Sequence, residues 1–248
     1  MVSMSETGHA KNLAGFDEVI SFVKAYGKAY NPSNASIGLT ALQQLSSEAR
    51  NSLSVLNAAL PAYSNAVAAR EAAFMPLNKL VTRIMNALKA INTSPQVDDN
   101  AKTLVRKIRG SRATPKMNAE EKIALAAGGN EIKEVSSSQL SYDSRLENFD
   151  KLIKLLSSIS LYSPNEEDLK VTALISLLND LTGKNAAVVT AAVPVSNARI
   201  VRNNILYKAD TGLVETATAV KSYIKSLFGA TSPQYKQVSK IILKAVKL

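Results

Sequence analysis

The chain has 248 residues and a 46% hydrophobic share, enough for a packed core and too apolar for a disordered chain. Zero Cys, zero Trp and one His exclude a disulfide framework, a thiol nucleophile and Cys-based zinc or iron–sulfur sites. A net charge of +10 gives a surface that favours polyanions.

Residues 1–8 show no basic region followed by an apolar one, so no secretory signal is expected; together with the absence of cysteine this favours a cytoplasmic location. His9 follows in a polar stretch, where an exposed, unengaged side chain is expected. The first helix gathers Leu13, Phe16, Val19, Ile20 and Val23 on one face. Asn31-Pro32-Ser33-Asn34 then breaks the chain and offers an N-cap for a second helix. A third helical region, roughly 53–91, contains Pro61 and Pro76, where kinks or breaks are expected. The uncharged run between Arg50 and Arg70 is too polar for a membrane span. Its Ala, Ser, Val and Asn content reads as buried bundle interior or as a surface for self-association. Thr93-Ser94-Pro95-Gln96 opens a fourth helix.

That fourth helix carries Lys102, Arg106 and Arg109 at spacings of four and three, one stripe opposite an apolar face of Val97, Leu104, Val105 and Ile108. Residues 111–140 balance four bases against four acids and read as a polar linker, with room for one short helix over 119–127.

The remaining chain repeats the first. Phe16-Asp17-Glu18-Val19-Ile20 returns 133 residues later as Phe149-Asp150-Lys151-Leu152-Ile153, and Tyr30-Asn31-Pro32 returns as Tyr162-Ser163-Pro164. Pro61 matches Pro194 and Arg70 matches Arg202; Thr-Ser-Pro-Gln recurs at Thr231. The fold expected is therefore all-α: a tandem repeat of two homologous bundles of about four helices, 1–110 and 141–248, with pseudo-twofold symmetry. The second copy places Leu146, Phe149, Leu152, Ile153 and Leu156 on the face of its first helix, and Glu166, Glu167 and Asp168 in the first turn of its second. Its third region, 185–228, is interrupted by Pro194 and Asp210-Thr211-Gly212. In its fourth helix Lys236, Lys240, Lys244 and Lys247 should form a stripe opposite Tyr235, Ile242, Leu243 and Val246.

No phosphate loop, dinucleotide fingerprint, nucleophile elbow or zinc-helix motif occurs. The carboxylate pairs are adjacent in sequence and diverge, and Asp98-Asp99-Asn100 lacks the alternate spacing of a calcium loop. No enzyme, cofactor or metal is expected. The two basic stripes point to a nucleic-acid backbone or another polyanion as partner, with Lys102, Arg106, Arg109, Lys236, Lys240, Lys244 and Lys247 as contacts. Tyr207, Tyr223 and Tyr235 near lysines offer rings to stack on single-stranded bases. Arg70, Arg202, Pro61 and Pro194 are read as structural. The alternative is a self-assembling subunit packing through its Ala/Ser-rich helices.

Overall fold

The computed structural model describes residues 7–111, Ala127 and 140–245, all helices and connections with no strand among them. The expected short helix over 119–127 lies outside the described residues, Ala127 apart. In chain order the helices are α1 (Thr7–Tyr26), α2 (Leu39–Phe74), α3 (Leu77–Lys89), α4 (Pro95–Arg109), α5 (Tyr142–Ser157), α6 (Val171–Tyr207), α7 (Leu213–Phe228) and α8 (Pro233–Ser239). No described helix is long and apolar enough to cross a membrane.

The expected second and third helical segments are single long helices, α2 and α6, of 36 and 37 residues. Pro61 and Pro194 lie inside them without ending them. Both prolines are exposed, so the carbonyls that lose a partner four residues back can turn to water. The chain does break at Met75-Pro76 and at Lys208–Gly212, where Pro76 and Asp210-Thr211-Gly212 were expected to interrupt it. Glu166, Glu167 and Asp168 stand in a separate 3-10 turn region ahead of α6 rather than in its first turn. Asp168 bonds Arg83, whose guanidinium holds that carboxyl below its usual range.

The chain forms two compact units, residues 1–64 with 191–248, and residues 65–190. In the first, the α1 face Leu13, Phe16, Val19, Ile20 and Val23 packs into one core with Leu213, Ala217, Val220 and Ile224 of α7. A smaller cluster holds Leu56, Val195 and Ala198. In the second, Leu77, Val81, Ile84 and Leu88 of α3 meet Val105 and Ile108 of α4 and Phe149, Leu152, Ile153 and Leu156 of α5. Each fully buried side chain of this kind contributes about 1.5–3 kcal/mol.

The middle of the long helices is only half interior. Leu56, Val195 and Ala198 turn inward, while Val55, Val193, Ile200 and Val201 are all more than half exposed. A helix packed on one side buries one stripe, however apolar the remainder.

Each unit holds a buried tyrosine that closes the turn ahead of a long helix. Tyr30 Oη donates to the Ile37 carbonyl at 2.7 Å, and Tyr162 Oη to the Leu169 carbonyl at 3.1 Å. Burial pushes both phenols up to about 12. The unfolded chain loses these protons near 10, so between pH 10 and 12 it binds fewer protons than the folded chain and stability falls as pH rises. We expect the unfolding free energy, measured in urea across this window, to fall less steeply in Tyr30→Phe/Tyr162→Phe than in the unaltered chain. Equal slopes would show that these phenols do not titrate differently on folding.

Candidate functional site

An open groove of ≈ 770 Å³ runs between α3 and α4 in the second unit. Lys102, Arg106 and Arg109 line it together from α4, and Lys89 joins them from the last turn of α3. The sequence reading missed Lys89. Its only signal was position, since a basic residue ending α3 complements the helix dipole without announcing a partner. Asp98 and Asp99 line the groove too, from the α4 N-terminal end. Thr93 Oγ1 donates to Asp98 Oδ1 at 2.5 Å, so that carboxylate is held by the turn. None of the four cations has an ion-pair or hydrogen-bond partner among the described residues, and Lys102 and Arg109 are exposed.

α4 sits where it does because of its apolar stripe and its ends. Ala101, Val105 and Ile108 are buried. Gly110 ends the helix in the left-handed region at φ 69, and its N–H and that of Ser111 bond back into the last turn. Arg145 of α5 donates from Nε to the Ile108 carbonyl at 3.1 Å, tying the end of the basic stripe to the next helix. Burial lowers the Arg145 pKa from its ordinary value.

The second stripe differs from expectation. α8 ends at Ser239, so of its lysines Lys236 lies on the helix, Lys240 caps it, and Lys244 follows in a segment without regular secondary structure. All three are exposed, and Lys247 lies outside the described residues. Asn12 and Lys221 take backbone groups that would otherwise bond within a longer helix. Ile242, expected on the apolar face, is 75% exposed, and Ile241 is buried in its place. Val246 lies outside the described residues.

His9 is buried rather than exposed: its Nδ1 shares a 2.5 Å hydrogen bond with the Tyr207 hydroxyl, which also accepts from Asn12 Nδ2 at 3.2 Å. The other tyrosines are engaged as well. Tyr223 meets Tyr30 edge to face at 5.1 Å, and the Tyr235 ring lies 5.7 Å from Lys225 Nζ. The rings of Tyr207, Tyr223 and Tyr235 are all half-buried.

Arg70 stacks its guanidinium 3.8 Å above the Tyr142 ring and donates to Asn185 Oδ1 at 3.1 Å; Asn185 in turn donates to Asp143. Arg202 is 3% exposed and donates from Nε and Nη2 to Asn203. Both arginines sit in polar networks inside their units. No group of three or more His, Cys, Asp or Glu residues suited to a metal occurs among the described residues. Comparison with protein-family models, curated proteins and solved structures returned no match.

The groove side chains and the tie that positions them should separate in stability. Lys102→Gln, which changes a wet end, should shift the unfolding free energy by under about 0.5 kcal/mol. Arg145→Met, which leaves the Ile108 carbonyl without its donor, should cost about 1–3 kcal/mol in the same urea titration.

Proposed function

We propose that this is a non-enzymatic, tandemly duplicated helical protein that binds a nucleic-acid backbone, or a polyanion of similar charge density, without reading sequence. The observation that carries the reading is the α3–α4 groove, where four cations from two helices converge with no ion pair among the described residues. A solvated face pairs its charges, as α5 does with Lys151–Glu147 and Lys154–Asp150, whereas the groove cations stay unpaired although Asp98 and Asp99 share the groove. In the first unit Lys236, Lys240 and Lys244 are exposed as well, in a stretch that has no carboxylate after Glu215. The duplication is supported by the sequence matches and by the paired Tyr30 and Tyr162 bonds, which occupy equivalent positions of the two copies.

If about six of these side chains neutralise phosphates, binding to duplex DNA should fall with salt on a log–log slope near −5, from roughly −0.9 per contact. Lys102→Gln/Arg106→Gln/Arg109→Gln should flatten that slope by about three units. Failure of the unaltered chain to bind DNA or RNA at low salt overturns the reading.

A second reading, self-assembly, is favoured by one feature of the first unit. Val55, Pro194, Ala198, Val201 and Ile205 line a groove of ≈ 400 Å³ between α2 and α6, and Val193 and Ile200 are exposed elsewhere on α6. Exposed β-branched side chains at that density suit packing against another helix. Light scattering separates the two: a monomer that grows only with nucleic acid supports polyanion binding, whereas a particle formed by the protein alone, and lost in Val193→Glu/Ile200→Glu, supports assembly.

A further inference from the structure

After α8 the chain leaves the helix and runs against α1 as a strap, residues 241–245. Asn12 grips both backbone groups of Lys244: its Nδ2 donates to the carbonyl and its Oδ1 accepts from the N–H, each at 2.9 Å. Gly15, on the next turn of α1, admits the strap. A Cβ there would stand 3.2 Å from Ile241 Cγ2 and 3.7 Å from Leu243 Cγ. From α7, Lys221 Nζ donates to the Ile241 carbonyl. Ile241 is buried, Ile242 exposed, Leu243 half-buried and Lys244 exposed, the alternation of a segment with one face covered.

The same residues carry the period of a helix. Lys236, Lys240 and Lys244 recur every four positions, and the matching stretch after Ser94 forms fifteen residues of helix where α8 has seven. Strap and helix are thus competing uses of one segment, because the backbone groups held by Asn12 and Lys221 are those a longer α8 needs. Continuing the helix would bring the three lysines onto one stripe about 6 Å apart. Their mutual repulsion, ~0.2–0.5 kcal/mol per pair, opposes that state. A bound polyanion removes the repulsion.

We propose that residues 241–245 are a two-state element that regulates polyanion binding: docked on α1 they hold Lys244 off the helix, and released they extend α8 and align Lys244 with Lys236 and Lys240 along the anionic backbone. This rests on the polyanion reading. By linkage, a ligand that prefers the helical state pulls the strap from α1, and whatever fastens the strap weakens the ligand.

The chain has no cysteine, so a paired substitution gives a clean lock. Gly15→Cys/Ile241→Cys places two thiols on facing positions of α1 and the strap. Binding to a short duplex DNA is compared across salt for the oxidised and reduced forms of this one protein. The oxidised form should bind several-fold more weakly and show a slope shallower by about one unit, the contribution of Lys244. Circular dichroism should show helix gained on adding the duplex in the reduced form only. If the two forms bind alike while the unaltered chain binds, the regulation is wrong and the polyanion reading stands; if the unaltered chain does not bind at all, both fall. Should the double variant not fold, Asn12→Ala, which frees Lys244, takes its place: it should raise affinity several-fold, and unchanged affinity overturns the proposal.

Discussion

The packing of α1 on α7 is the contact on which most of the first unit depends. Phe16 and Val19 are fully buried there, and Leu213, Ala217, Val220 and Ile224 return the contact. The residues that hold the strap, Asn12 and Gly15, lie on α1 beside that face, and Lys221 lies on α7. The backbone arrangement at residues 241–245 is therefore set by side chains whose own places come from hydrophobic burial. Polar contacts here select among conformations, and apolar area supplies the stability.

The helix faces were legible in the sequence because they follow a single period. Leu13 through Val23 and Phe149 through Leu156 are buried as their spacing requires. The repeated tyrosines were visible as matches, but not as donors to a carbonyl seven residues on. Three features were not legible, each for a stated physical reason. Proline disfavours a helix interior, yet at exposed positions in 36- and 37-residue helices the loss of one bond does not end the helix. His9 looked solvated from its neighbours in sequence, whereas its partner Tyr207 is 198 residues away. The strap has a helical pattern, and long-range contacts with Asn12, Gly15 and Lys221 hold it in another arrangement.

The basic groove was half legible. Three of its cations share one helix and one spacing, so periodicity found them. The fourth, Lys89, comes from α3, and no spacing rule links residues on different helices. Two of the α4 cations, Arg106 and Arg109, also lie in the last turn, where they complement the helix dipole whether or not a ligand binds. The exposed apolar residues of α2 and α6 were masked in the opposite way, because small and β-branched side chains read equally as core or as surface.

The division into compact units has a consequence for how the chain is made. Residues 65–190 are continuous in sequence, so everything that unit needs has been synthesised before α7 is begun. The other unit is split around it, and the α1 face must wait for α7, some two hundred residues later. During that interval Leu13, Phe16, Val19 and Ile20 have no α7 partner, and a nascent apolar stripe of this kind is a site for chaperone capture or for pairing with the wrong chain. Closing a loop that long also slows the step, since non-local contacts form only after the connecting segment has been ordered.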